Sequence, residues 1–296
     1  MSTICIEPTD ATLGAVVTGV DLRSMTDEEW AEIEVAFHEH AVLVFPDQHL
    51  TPDEQAAFGR RFGELSIESL VFTNCADDGS VLPADDPLVR HLAGNEGWHT
   101  DSSFQERAAK ASILSAHRVP SEGGATEWAD MRAAYDALDP VTRQLVHGLS
   151  AFHSLYYSQA RIGIDPSVTA SANARLVGQT TVREAVVVEA PQRPLVKVHP
   201  VTGRPALFVG RHAYGIPGLE AAESTALLDR LIDEACRPPR VHSHRWRPGD
   251  IAVWDNRCVL HRARPYGPTE ARYMVHTRVN GEAATEHAPM VSAPSF

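Results

Sequence analysis

Ile251-Ala-Val-Trp-Asp-Asn-Arg-Cys-Val-Leu-His261 is the stretch that decides the fold. Its apolar start reads as a buried strand. Asp255-Asn-Arg257 reads as a turn, and the apolar run after it as a second strand ending in histidine. Eleven residues beyond His261 stands Arg272, inside Ala271-Arg-Tyr-Met274. Upstream, Trp98-His-Thr-Asp101 carries a His-x-Asp pair. In an extended strand residues i and i+2 share a face, so His99 and Asp101 can converge on one metal ion. Alone the pair is weak: 15 histidines and 39 acidic residues in 296 give about two His-x-acid pairs by chance. With His261 added, two histidines and a carboxylate form a facial set. Such a set leaves adjacent positions open on an octahedral iron, the pattern of non-haem Fe(II) oxygenases. An arginine nearby could hold the distal carboxylate of a co-substrate by a two-point pair.

Working outward, short strand signals recur. They cover Ile4–Glu7, Ala15–Val17, Ala41–Phe45, Ala111–Ala116, Leu195–His199, Ala206–Val209, Val241–Arg245, Ile251–Asp255, Val259–Arg262 and Tyr273–Val279. Thr26 opens a helix with Glu29 as the other half of a capping box, and Trp30, Ile33, Ala36 and Phe37 recur at helical spacing. Thr51-Pro-Asp-Glu54 opens a second helix that runs to Phe62. Two more helices are expected near Met131–Leu138 and Glu220–Cys236. Many short strands punctuated by Gly and Pro predict a mainly β chain with flanking helices, either closed on itself or double-sheeted. Residues 66–95 hold Asp77, Asp78, Gly79, Pro83, Asp85, Asp86 and Pro87 with little periodicity, and read as a long loop or lid. Gly163–Gln179, rich in Ser, Thr, Ala and Asn, reads the same way and lies in a second lid near 158–190. There is no repeat, heptad array, GxGxxG or P-loop.

Composition narrows the function classes. The formal net charge is -13, from 26 Lys+Arg against 39 Asp+Glu. A general nucleic-acid binder needs a basic surface, so that class is excluded. Only Lys110 and Lys197 are lysines, a bias that codon usage explains. Cys5, Cys75, Cys236 and Cys258 form no CxxC pair or zinc-ribbon spacing and read as small buried hydrophobes. No signal-peptide pattern opens the chain, and no apolar run approaches the roughly 18 residues that span a bilayer. A cytoplasmic protein with reduced thiols and no membrane partner is expected.

These residues resemble the taurine/2,4-dichlorophenoxyacetate family of Fe(II)/2-oxoglutarate dioxygenases. The resemblance covers nearly the whole chain. It runs from Gly14-Ala-Val-Val-Thr-Gly-Val-Asp-Leu22 through Trp98-His-Thr-Asp101, Pro120-Ser-Glu-Gly-Gly-Ala-Thr126 and Asp130-Met-Arg-Ala-Ala-Tyr-Asp-Ala-Leu138. It ends at Trp254-Asp-Asn-Arg-Cys258, His261 and Arg272. It implies a single domain over 1–296 with a double-stranded β-helix (jelly-roll, cupin-like) fold. It implies His99, Asp101 and His261 as iron ligands, with Thr126 and Arg272 on the distal carboxylate of 2-oxoglutarate. The implied reaction consumes O2 and 2-oxoglutarate, releases succinate and CO2, and hydroxylates a small organic acid. A homo-oligomer is the implied assembly.

Within the family, His153-Ser-Leu-Tyr-Tyr-Ser-Gln159, Leu195-Val-Lys-Val-His-Pro200 and Gly210-Arg-His-Ala-Tyr-Gly-Ile-Pro-Gly218 are similar to the aryloxyalkanoate branch, which cleaves phenoxy acids to a phenol and a 2-oxo acid. His276 stands where taurine and 2,4-D enzymes usually carry an arginine for the substrate anion. Asn95, Ser102, Tyr157, His199, Arg211, His212 and His276 are the candidate substrate contacts, with a structural hydrogen-bonded role open for His199 and His212. A taurine-like sulfonate is the alternative substrate. A zinc hydrolase, which lacks an HExxH helix here, and a non-catalytic β-barrel binding protein are the alternative classes.

Overall fold

Both faces of the strand at Ile251–Asp255 are buried, which is why its sequence shows no alternation. The computed structural model describes residues 4–177 and 189–295. The chain begins β1 (Cys5–Pro8), β2 (Ala15–Thr18), α1 (Asp27–His40), β3 (Val42–Phe45), α2 (Pro52–Phe62), β4 (Leu65–Thr73) and α3 (Pro87–Leu92). It continues β5 (Ala109–Arg118), β6 (Thr126–Asp130), α4 (Met131–Asp136), α5 (Pro140–His147), β7 (Ser150–His153), α6 (Leu155–Ala160), α7 (Pro166–Val177), β8 (Glu189–Pro194), β9 (Val196–Val198) and β10 (Pro205–Leu207). It ends β11 (Ala213–Tyr214), α8 (Ala221–Ala235), β12 (Val241–His244), β13 (Ile251–Asp255), β14 (Val259–Ala263), β15 (Tyr273–Asn280), α9 (Ala283–Glu286) and β16 (Met290–Ser292).

A seven-stranded sheet has the order β1-β2-β3-β13-β5-β15-β4, antiparallel except for the β2–β3 pair. A three-stranded sheet, β12-β6-β14, lies against it, and the two smaller sheets are β11-β7-β8-β16 and β10-β9. On one face of β13, Ile251 and Val253 pack with Ile33, Ala36 and Phe37 of α1 and Phe58 and Phe62 of α2. On the other, Ala252 and Trp254 pack with Trp128 of β6 and Val259 and Leu260 of β14. The Trp254 and Trp128 rings meet at 5.8 Å, so the two sheets close on a tryptophan pair. The capping boxes form as expected: Thr26 with Glu29 and Thr51 with Glu54, each contributing about 1 kcal/mol.

The lids differ from expectation. Residues 65–73 are strand, with Met274 of β15 opposite Phe72 and Val275 opposite Val71. As the edge strand of its sheet, β4 has one neighbour only. Its Ser66, Glu68 and Ser69 stay wet and mask the pattern. Asp86 caps Leu88 N–H and Pro87 starts α3, so the irregular stretch shrinks to residues 74–86. Helix α7 occupies most of Gly163–Gln179. Asp165 accepts from the Ser167 N–H and hydroxyl, and Pro166 begins the helix. Of the expected lid near 158–190, residues 178–188 lie outside the described residues, and Glu189 already belongs to β8.

Strand β7 carries His153 into the core, where its ring meets Phe208 at 5.7 Å. Neither ring nitrogen has a hydrogen-bond partner among the described residues. Burial, then Arg193 and Lys197, push its pKa down to about 3. The unfolded chain therefore takes up this proton below its ordinary 6.5, and the folded chain only near 3, so stability is lost as pH falls through that window. His153→Phe removes the titration. Its gain in unfolding free energy should be larger at pH 5 than at pH 8 by about 2 kcal/mol, read from denaturant melts at both pH values. Equal gains would refute the assignment.

Candidate active site

His99 and His261 exchange backbone hydrogen bonds, His99 N–H to His261 O at 3.0 Å and His261 N–H to His99 O at 2.7 Å. The bridge is isolated, and no regular strand runs through 98–101. The chain instead turns directly after Thr100, with Ser102 at φ 56. His99 and Asp101 thus converge through a bridge and a turn, not through strand alternation. Ligand atoms of His99, Asp101 and His261 lie within 4.8 Å of one another. His99 Nδ1 sits 2.8 Å from Gly97 O, and a carbonyl only accepts, so Nδ1 carries the proton and Nε2 keeps a free lone pair.

A second group of the same composition, His38, His199 and Asp255, also gathers within 4.8 Å. The hydrogen bonds separate the two. His199 Nδ1 accepts from the N–H groups of Val201 and Thr202, so Nε2 must be protonated, and it donates to Asp255 Oδ2 at 2.9 Å. Asp255 also accepts from Arg257 on both oxygens, at 2.8 and 2.6 Å. With both nitrogens of His199 engaged and no lone pair left for a metal, this group is a clasp on the β13–β14 turn. His199 is therefore not a substrate contact, and it does not line the cavity described below.

Asp101 is buried, which opposes its ionisation. Arg278, then His261 and His276, overcome that penalty and hold the carboxyl well below the usual carboxylate range. Arg278 Nη2 donates to Asp101 Oδ1 at 3.1 Å, and Ser112 Oγ donates to Oδ2 at 2.6 Å. The three histidines His99, His261 and His276 have lowered pKa values, chiefly by burial, and their neutral forms are favoured.

The group opens into a cavity of about 470 Å³. Thr126 and Arg272 lie in its wall. Thr126 Oγ1 accepts from Trp246 Nε1 at 2.9 Å. Arg272 is 9% exposed, and no acidic side chain pairs with it among the described residues. Its guanidinium lies 5.9 Å from the centre of the Tyr266 ring. Burial without a counter-ion lowers its pKa from the ordinary value. A buried, unpaired, two-pronged cation is a site for an anion.

Of the expected substrate contacts, Asn95, Arg211, His212 and His276 line the cavity. Arg211 donates to the carbonyls of Gly94 and Ser158 and to Gln159 Oε1, bracing two wall segments. His212 Nδ1 pairs with Ser158 Oγ at 2.8 Å, and its ring meets His99 at 5.7 Å and Phe104 at 5.0 Å edge-on. His276 stacks on Phe72 and sets Nε2 3.4 Å from Asp101 Oδ2. With His199, three of the seven expected contacts lie off the cavity wall, Tyr157 and Ser102 being the others. Tyr157 is turned away from the cavity and stacks on Tyr214 at 4.7 Å, because α6 presents Leu155, Tyr156 and Gln159 to it instead. Ser102 supports from behind, accepting from Arg278 Nη1 at 3.1 Å. Reading by motif missed Arg278 and the apolar wall of Leu70, Phe72, Leu92, Phe104, Leu155 and Tyr156. Period-two counting along β15 would have found Arg278, two residues past His276 and six past Arg272.

The family described as "Taurine catabolism dioxygenase TauD, TfdA family" matches residues 6–278. The chain belongs to this family. It is 50% identical over 285 residues to the (S)-phenoxypropionate/alpha-ketoglutarate-dioxygenase of Sphingobium herbicidovorans, covering 96% of this chain and 97% of that one. It is 39% identical to the alpha-ketoglutarate-dependent 2,4-dichlorophenoxyacetate dioxygenase of Cupriavidus pinatubonensis, over 89% of this chain and 93% of that one. The crystal structure of AAD-2 in complex with Mn(II) and N-oxalylglycine superposes with a TM-score of 0.83 at 36% identity, covering 94% of this chain and 97% of that one. This member of the TauD/TfdA family is a 2-oxoglutarate-dependent dioxygenase, with Fe(II), 2-oxoglutarate and O2 as the metal and co-substrates of its class. No helix among the described residues is long and apolar enough to cross a membrane.

The contrast between the two His-His-Asp groups is testable. His199→Ala leaves two backbone N–H groups and one carboxylate lone pair without partners, a cost of about 2–3 kcal/mol in unfolding free energy. Denaturant melts should show that loss, while metal analysis should show unchanged divalent-metal content.

Proposed function

We propose that this dioxygenase hydroxylates an aryloxyalkanoate at the carbon beside the ether oxygen, with His99, Asp101 and His261 as the Fe(II) ligands and Thr126 and Arg272 on the distal carboxylate of 2-oxoglutarate. The observation that carries the reading is the pairing, in one cavity, of a His-Asp-His group with a buried arginine that has no acid partner. The donor set suits the metal: two neutral imidazoles and one ionised carboxylate, with the His99 lone pair already turned free. When bound, iron and 2-oxoglutarate supply O2 activation and the oxidation of a nearby C–H bond.

The chain's own residues do the rest. Arg272 binds a carboxylate by charge and two N–H groups, which fixes the co-substrate's reach towards the metal group. Leu70, Phe72, Phe104, Leu155 and Tyr156 line the cavity with a largely apolar wall on which an aryl ring can pack, and they keep water off the reacting carbon. Asn95, Arg211, His212 and His276 are the polar groups left to orient the substrate acid. Hydroxylation puts an OH on the carbon that bears the aryloxy oxygen. That carbon–oxygen bond then breaks, the O–H proton passes to the aryloxy oxygen, the hydroxyl oxygen becomes a carbonyl, and a phenol and a 2-oxo acid leave. A phenoxypropionate would give pyruvate and a phenoxyacetate glyoxylate. The phenoxypropionate and 2,4-dichlorophenoxyacetate dioxygenases among the relatives support this substrate class over a sulfonate.

In the same reading, residues 1–296 are one domain, a double-stranded β-helix whose two walls are the seven-stranded sheet and β12-β6-β14. Their closure on Trp128 and Trp254 supports it. Four free cysteines suit a reducing compartment, so the cytoplasm is the proposed location.

The test is a panel of phenoxyacetates, phenoxypropionates and sulfonates, read by succinate and phenol release under O2 with Fe(II). Phenol formed one-for-one with succinate from an aryloxy acid is expected. Turnover coupled to a sulfonate alone would overturn the substrate assignment. Arg272→Met should raise the KM for 2-oxoglutarate about 30-fold or more, since loss of a buried charge partner costs about 2 kcal/mol or above.

A further inference from the structure

We infer that Arg278 and Ser112 are positioning residues for the Asp101 carboxylate, locking its orientation from both oxygens so that it meets the metal in one pose. The inference rests on the reading of Asp101 as a metal ligand.

The hydrogen bonds on the Oδ2 side have a defined direction. Asn256 Oδ1 accepts from Trp254 Nε1 at 3.1 Å and from Asp101 N–H at 3.2 Å. Two donors facing it identify that atom as the oxygen and set the amide's orientation. Asn256 Nδ2 must then donate, and it does so to Ser112 Oγ at 2.8 Å. A hydroxyl has one proton. With Asn256 filling an acceptor position on Oγ, the Ser112 proton is directed to Asp101 Oδ2 at 2.6 Å. A chain of donors thus runs from the β13–β14 turn to one carboxylate oxygen, every member buried.

Arg278 takes the other oxygen. Its Nη2 donates to Oδ1 at 3.1 Å and its Nη1 to Ser102 Oγ at 3.1 Å. Those two bonds tie the guanidinium to residues 101 and 102 together, across the turn that carries the ligand. Strand β15 pairs directly with β5, Arg278 opposite Ser112, so both anchors of the carboxylate come from neighbouring positions in one sheet. Ser112 and Arg278 stand in paired strands, whereas Asp101 stands in a turn. The geometry therefore transfers the sheet's order to a side chain that the turn alone would leave free to rotate.

Arg278 also lines the cavity, so it could instead serve as an anchor for the substrate acid. Its two bonds to Asp101 and Ser102 favour the positioning role, and the two roles give different results. Removing a cation beside a metal site, with nothing else changed, should tighten metal binding, whereas loss of positioning should weaken it.

The experiment is Mn(II) titration of metal-free protein, with 2-oxoglutarate present and no O2, reading free Mn(II) by electron paramagnetic resonance. Wild type, His99→Ala, Arg278→Leu, Arg278→Lys and Ser112→Ala are compared. Arg278→Leu and Ser112→Ala should each weaken Mn(II) binding about 10-fold or more. Arg278→Lys, which can still donate to one oxygen, should recover part of the loss. Unchanged or tighter binding in either the Leu or the Ala variant removes that residue from the positioning set. A raised KM for the aryloxy acid in Arg278→Leu with wild-type Mn(II) affinity also overturns the inference and makes Arg278 a substrate contact. If wild type fails to bind Mn(II), or His99→Ala binds as well as wild type, the metal-site reading itself is what falls.

Discussion

Two backbone hydrogen bonds between His99 and His261 join a turn that precedes β5 to a strand of the three-stranded sheet. Everything at the reactive end of the cavity is referenced to that join. It sets the two imidazoles 4.1 Å apart, centre to centre, and places Asp101 where the turn brings it back. Because each histidine is both donor and acceptor to the other's backbone, neither can shift without the other. The β13–β14 turn holds one partner in place through Asp255, Arg257 and His199, and it holds the other through Asn256, which reaches Thr100 and Asp101.

The two His-His-Asp groups show why residue type does not define a metal site. Composition and spacing within 4.8 Å are the same in both. In one, a carbonyl fixes the protonated nitrogen of His99 and leaves the opposite lone pair free. In the other, two backbone N–H groups fix the lone pair of His199, and the opposite nitrogen is committed to Asp255. The backbone that each imidazole meets decides whether a lone pair stays free or is used up in a clasp.

This contrast also explains what could be read in the sequence. Strands whose two faces are buried, such as β13 and β3, announce themselves by unbroken apolar runs, and Thr-x-x-Glu marks both capped helices. His99, Asp101, His261, Thr126 and Arg272 could be picked out because each sits in a motif. Strand β4 was hidden because an edge strand with one wet face resembles a polar loop. Helix α7 was hidden because Ser, Thr and Asn are as common in loops. His199 and His212 look alike in sequence, and only their partners, Asp255 for one and Ser158 for the other, separate them. Arg278 carried a period-two signal, but no motif drew attention to it.

Arg211 has a consequence for how the pocket can change. Its guanidinium spans the carbonyls of Gly94 and Ser158, so the wall after α3 and the wall on α6 share one fastener. Two segments more than sixty residues apart are thereby coupled, and substitutions in them should combine non-additively. The end that carries His99, Asp101 and His261 hangs on a different set of bonds, those of the β13–β14 turn. A lineage that moved from one acid to another would therefore have to alter the two walls together, and could do so without disturbing the chemistry. Epistasis is built into the specificity half of this cavity and largely kept out of the reactive half.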